Sequence, residues 1–234
     1  MTRLKLWLTN RYWMLIDALH APYRQRHRSA AFRDMLPAFA ERVNGLPAPV
    51  ILEIGSRNVT GANPRAHFTA PGRYIGCDIH PGPNVDVVVD AHRLSDVIAP
   101  SSVDVVVSFS VFEHLLFPWK VVLEINRILK PGGLVFIATH PAWPAHELPW
   151  DFWRFPVGGL AHLLGEATGF RLIEAAEGVP CKIYSLESGE RGFVFSHVNA
   201  GVAIVAEKVS DYDPEKLRWD IDLTRALTTE YPRA

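Results

Sequence analysis

Five short apolar runs constrain the fold of this chain more than any other feature: Val50–Ile54, Tyr74–Asp78, Val85–Val89, Val103–Phe109 and Leu134–Thr139. Each is too short for a helix, and most end at a turn containing Gly, Pro, Asp or Asn. Continuous β-branched runs suit strands covered on both faces, hence a mostly parallel sheet. Between the last two, Val121, Val122, Ile125, Ile128 and Leu129 mark a helix with one apolar face. Pro118 stands at its start, where a missing N–H is harmless, and Pro131-Gly132-Gly133 stops it. Further strands are predicted at Phe170–Ala176 and Val202–Val209, with a helix across Gly158–Ala167. The pattern predicts a doubly wound α/β domain, whose ligands bind outside the carboxyl ends of the strands.

The chain has 234 residues, 48% of them hydrophobic and 21% charged, enough to bury a large core. Its net charge of −1 supplies no global positive field, so nucleic acid is not an expected partner. The longest charge-free stretch, Pro131–His146, has 16 residues and three prolines, short of the roughly 20 apolar residues a membrane span needs. Cys77 and Cys181 form no CxxC and fit a reducing compartment. Asn10, Arg11 and Asp17 interrupt the N-terminal apolar stretch and no small-residue cleavage site follows, so a cytoplasmic location is expected.

Three regions are predicted: an N-terminal helical extension (1–45), the α/β domain (46–210) and a C-terminal tail, partly helical (211–234). Within residues 1–33, Arg3, Lys5, Arg11, Arg24, Arg26, Arg28 and Arg33 stand against the single acid Asp17. Leu4, Trp7, Leu8, Leu15 and Leu19 recur at helical spacing. One reading packs this helix on the main domain; a second rests it on an anionic membrane surface.

The strand ends carry the polar residues. The first run closes with Glu53-Ile-Gly55-Ser56-Arg57-Asn58, where a glycine permits a tight turn and the N–H groups after it can face an anion. A full G-x-G-x-x-G is missing, which disfavours a dinucleotide cradle. The second run ends in Gly76-Cys-Asp78-Ile79, an acid placed to accept ribose hydroxyls. The third gives Asp90-Ala91-His92, and the fourth Ser108-Phe109-Ser110-Val-Phe-Glu113-His114-Leu115.

With Glu124-Ile-Asn-Arg127-Ile-Leu-Lys130-Pro131-Gly132-Gly133, these motifs resemble, in order, those of class I S-adenosylmethionine-dependent methyltransferases, over roughly Pro49 to Lys208. The resemblance implies a Rossmann-like seven-stranded sheet whose last strand is antiparallel, and S-adenosylmethionine as cofactor. It places Glu53 and Gly55, with Ser56, at the methionine end, Asp78 and Ile79 at the ribose, and Asp90, Ala91 and His92 at the adenine. Ser108, Phe109 and Ser110 would floor the pocket near the methyl. Arg57 stands where the family usually has a second glycine; it either pairs with the cofactor's carboxylate or marks a degraded site.

Methyl transfer to a hydroxyl benefits from a base, and His140 and His114 follow strands of the expected rim. His114 could equally be structural, fixing the next helix start with Glu113. The segment from Thr139 onward interleaves aromatic and polar groups, and Trp143, His146, Trp150, Asp151, Trp153 and Arg154 are read as binding a sugar or small metabolite. The bland alternative is a Trp-rich lid with Asp151 and Arg154 paired locally. His146, Glu147 and Asp151 lack any recognised metal-ligand spacing, so no metal is expected. Glu124 and Arg127 read as a structural ion pair. A non-catalytic interaction protein of the same fold and a lipid-modifying enzyme remain alternatives.

Overall fold

The computed structural model describes residues 3–59, 61–181, 198–215 and 217. Two helices, α1 (Arg3–His27) and α2 (Ala30–Asn44), come first. They are followed by β1 (Val50–Ile54), β2 (Arg73–Asp78), β3 (Val87–Val88), β4 (Val103–Phe109), α3 (Pro118–Ile128) and β5 (Leu129–Thr139). The last elements are α4 (Val157–Leu163), β6 (Phe170–Cys181) and β7 (Val198–Lys208). The strands form one sheet in the order β3-β2-β1-β4-β5-β7-β6. β7 runs antiparallel between β5 and β6, and the other pairings are parallel. The fold is therefore the Rossmann-like, doubly wound sheet expected. Its order reverses between β1 and β4, which is where such sheets open a crevice.

Side chains alternate between two cores, as the two-residue strand period requires. Leu52, Val106, Val135 and Ile204 face α3 and α4, burying Val121, Ile125 and Leu160. Ile51, Val105, Phe136 and Val205 face the opposite way, toward Met35, Phe39 and Val43 of α2. Those three recur every fourth residue on one stripe of α2. Ser29 starts the helix by accepting the Phe32 N–H at 3.1 Å. α2 is thus part of the core of the sheet, not of an appended extension as expected for residues 1–45. On α1, Leu4, Trp7, Leu8, Leu15 and Leu19 are each more than half exposed, so this apolar face is not buried against the domain.

Other departures have local causes. β3 shrinks to two residues because the Asp86 carboxylate and N–H both bond to Gly76 just before it, at 2.8 Å each. α4 stops at Leu163, and Gly165 begins a separate 3-10 turn over Glu166–Thr168. Glu124 and Arg127 do pair, and Glu124 also accepts the Ser95 N–H at 2.8 Å. The buried Lys208 donates to Asn126 O and Leu129 O at 2.7 and 3.0 Å, placing a cation at the C-terminus of α3. Most of the tail expected to be partly helical lies outside the described residues. No helix among the described residues is long and apolar enough to cross a membrane.

Candidate cofactor and acceptor site

The carboxyl ends of β1, β2, β4 and β5 surround a cavity of about 460 Å³. Its lining brings Glu53, Gly55, Ser56, Arg57, Asp78, Ile79, Asp90, Ala91 and His92 together with Phe109, Ser110, His114, His140, Trp143, His146 and Trp150. Val111 and Leu115 line it too and were not singled out in the sequence, because an apolar rim residue looks like core; Glu147, weighed there only as a metal ligand, also lines it.

The turn after β1 is tight for a reason visible in its contacts. Gly55 has φ +78°, and a Cβ there would lie 2.1 Å from Cγ2 of Val111. Gly55 and Ser56 both donate their N–H to Cys77 O, at 2.8 and 3.0 Å. The Arg57 N–H goes to Asp78 Oδ2 at 3.3 Å and that of Asn58 to Pro83 O at 3.2 Å. The expectation that these N–H groups face an anion is therefore corrected: each is engaged within the protein. Recognition of a ligand here falls to side chains.

Asp78 receives a second N–H, from His80 at 2.9 Å, so the β2 end holds its carboxylate with two backbone donors. The Arg57 side chain turns the same way, with Nε 3.7 Å from Asp78 Oδ1. Ser56 Oγ and Arg57 Nε are buried and make no hydrogen bond among the described residues. Orphaned donors beside a carboxylate on a cavity wall are what a bound polar ligand would satisfy. Burial raises the Glu53 carboxyl above its ordinary range, against the opposing Tyr74 hydroxyl bond at 2.9 Å. At Asp90 burial pushes the other way from the net result: bonds and charge from His92 hold its carboxyl low.

Across the cavity, three histidines each place Nδ1 against a backbone carbonyl: His140 on Ala200 O at 2.9 Å, His114 on Trp150 O at 2.6 Å and His146 on Pro144 O at 3.1 Å. A carbonyl only accepts, so each Nδ1 carries a proton, and in the neutral ring Nε2 carries the lone pair. His140 Nε2 is 3.1 Å from Ser110 Oγ and 3.4 Å from Glu113 Oε1. Glu113 is fully buried at the end of β4, its Oε2 accepting the Thr139 hydroxyl at 2.6 Å. His140 stacks on Trp143 at 4.6 Å between centroids, and Trp143 is 48% exposed, leaving ring area for an acceptor.

Residues 44–137 match the family model described as a methyltransferase domain. Over those residues the chain is similar to that family. An uncharacterized methyltransferase of Mycobacterium leprae is 30% identical over 132 residues, covering 50% of this chain and 44% of the relative. The chain therefore spans less than half the length of the curated relatives it matches first. Among solved structures, a Burkholderia thailandensis 1,6-didemethyltoxoflavin-N1-methyltransferase with bound S-adenosylhomocysteine aligns with TM-score 0.56 at 14% identity, covering 90% of this chain and 92% of that one. An S-adenosylmethionine-dependent methyltransferase from Archaeoglobus fulgidus aligns with TM-score 0.52 at 18% identity, covering 84% and 100%.

Several of the candidate residues bond within the protein. Ser108 is fully buried inside the sheet, its hydroxyl on Ile54 O at 3.3 Å, and does not line the cavity. His92 spends both ring nitrogens internally, Nδ1 on Asp90 at 2.6 Å and Nε2 on the Phe117 N–H at 3.2 Å. Asp151 and Arg154 pair through two bonds of 2.6 and 2.7 Å, and Arg154 also caps Trp143 O and Pro144 O. Trp153 donates Nε1 to Leu115 O at 2.8 Å and packs on Trp119. Asp151, Arg154 and Trp153 thus buttress the segment that carries Trp143, His146 and Trp150 to the cavity.

Proposed function

We propose that this chain is an S-adenosylmethionine-dependent methyltransferase that methylates an oxygen of a sugar, glycan or other small metabolite, with His140 as general base. The observation that carries the reading is the cavity at the strand ends. It joins the glycine turn and the acids Asp78 and Asp90 to a rim holding a histidine lone pair and an exposed tryptophan. The residues fit the cofactor: Asp78 toward the ribose hydroxyls, Asp90 and Ala91 toward the adenine, and Glu53, Ser56 and Arg57 toward the amino-acid portion. Bound S-adenosylmethionine would supply a sulfonium-borne methyl group, an electrophile that needs alignment more than activation.

His140 is suited to its role by its neighbours. The Nδ1–H bond to Ala200 O fixes the ring and leaves Nε2 to take the acceptor's proton. Glu113 Oε1, at 3.4 Å, would stabilise the imidazolium so formed, while the Thr139 hydroxyl keeps the carboxylate in place. Trp143, stacked on the same ring, offers an apolar face for a sugar or ring to lie on. The test is titration with S-adenosylhomocysteine followed by an acceptor panel scored by release of the demethylated cofactor. Absence of binding at millimolar concentration would sink the enzyme in favour of a non-catalytic role.

We also propose that α1 rests on an anionic lipid surface. Its exposed Leu4, Trp7, Leu8, Leu15 and Leu19 and the basic Lys5, Arg11, Arg26 and Arg28 supply the two attractions such contact needs.

A further inference from the structure

Glu113 Oε1 is a buried carboxylate oxygen set among histidines. Its residue is fully buried, and the atom makes no hydrogen bond among the described residues. It lies 3.4 Å from Nε2 of His140 and 4.0 Å from Nε2 of His114. His114 Nε2 is in turn 3.9 Å from Glu147 Oε2. The rings of His114 and His146 meet edge to face at 4.7 Å. Ligand atoms of Glu113, His114 and His146 all fall within 4.8 Å of one another.

The histidine tautomers set the chemistry. With each Nδ1 proton on a carbonyl, neutral rings would present lone pairs at Nε2, and the carboxylate presents more. Lone pairs converging in a buried space call for positive charge between them. The bonds that fix the rings are also those that orient metal-bound imidazoles: an Nδ1–H on a carbonyl with Nε2 facing the ion. Asp151 Oδ2 lies 3.4 Å from Nδ1 of His146 and also accepts the backbone N–H of that residue at 2.9 Å.

We propose that Glu113, His114 and His146 bind one divalent transition-metal ion of the zinc type, with Glu147 in reach as a fourth ligand. Two imidazoles and a carboxylate suit zinc and leave a position open. Ligand atoms at about 2.0–2.2 Å from a tetrahedral ion stand roughly 3.4 Å apart, so the cluster must tighten by about an ångström. His146, 30% exposed on the segment after β5, would make most of that movement. Asp151 is excluded from the ligand set because Arg154 holds both its oxygens. At the open position the ion would hold an acceptor oxygen beside His140, which rests on the methyl-transfer reading; the binding of the ion does not.

The decisive experiment uses the full, tag-free chain, stripped with chelator and titrated with Co²⁺ alone while visible absorption is followed. The expected result is saturable binding of one Co²⁺ per chain, reversed by Zn²⁺ and weakened at least roughly tenfold in His146→Ala and in Glu113→Gln. Should Glu113→Gln fail to fold, His146→Ala carries the test, because its side chain is partly exposed. No saturable Co²⁺ signal, or equal binding by His146→Ala, overturns the proposal and leaves a proton as the charge between these groups. Titrating S-adenosylhomocysteine into the same stripped protein separates this failure from failure of the methyltransferase reading.

Discussion

Nε2 of His140 stands 3.4 Å from Oε1 of Glu113, joining the end of β5 to the turn after β4 across the rim of the cavity. If that pair is the base and its stabiliser, His140→Ala should lower turnover by about 10²–10⁴-fold while leaving affinity for S-adenosylhomocysteine nearly unchanged. Equal turnover in the variant, on a confirmed acceptor, would remove the base from the mechanism.

Asp78 is fixed by the N–H groups of Arg57 and His80, so its carboxylate is presented rather than searched for. Asp78→Ala should weaken S-adenosylhomocysteine binding by about 1.5–3 kcal/mol, the worth of hydrogen bonds to a charged group. Calorimetric titration of both proteins measures it, and an unchanged affinity would show that the ribose lies elsewhere.

The Asp151–Arg154 pair makes a pH-dependent claim. Paired hydrogen bonds from Arg154 hold the Asp151 carboxyl well below its ordinary value, outweighing the effect of burial. A carboxyl depressed in the folded state adds stability above its unfolded pKa of about 3.9, and this is lost as pH falls toward the folded value. Acidification below about pH 4 should therefore erode the stability of the parent more than that of Asp151→Asn. Thermal unfolding of both across that window is the measurement, and parallel curves would deny the pair its role.

Removing residues 1–27 should leave cofactor affinity and the thermal midpoint of the sheet domain unchanged, because the apolar face of α1 is exposed. Co-sedimentation with anionic vesicles should fall on truncation, and in the parent it should fall as salt is raised. Retention of vesicle binding by the truncated chain would assign the lipid contact to another surface.

What was legible in the sequence follows from chain-local physics. β1 and β4 were placed to the residue because continuous apolar runs bounded by turn residues leave few other options. The acids Asp78 and Asp90 were found because strand ends line the crevice of a doubly wound sheet. α2 was missed as a core element because Met35, Phe39 and Val43 only acquire meaning once a sheet face needs covering. The roles of Ser108 and Arg154 were misjudged for a related reason. A polar side chain near a site is equally able to serve the backbone beside it, and only contacts such as Ser108 with Ile54 O or Arg154 with Pro144 O decide. The grouping of Glu113 with His114 and His146 spans β4 and the segment after β5, so no local spacing could signal it.

Gly55 allows two physical demands to be separated. A Cβ there would lie 2.1 Å from Val111 Cγ2, and φ of +78° is unfavourable for any residue with a Cβ. Gly55→Ala should therefore cost both a steric clash and left-handed strain, the latter about 1–2 kcal/mol. Val111→Ala removes the nearest clashing atom without touching φ. If both demands operate, adding Val111→Ala to Gly55→Ala should recover part of the lost stability, leaving a remainder of about the conformational cost. Thermal unfolding of the four proteins in the cycle yields the coupling between the two positions. Strict additivity would mean that Val111 moves aside freely, so that the glycine is needed for its backbone conformation alone.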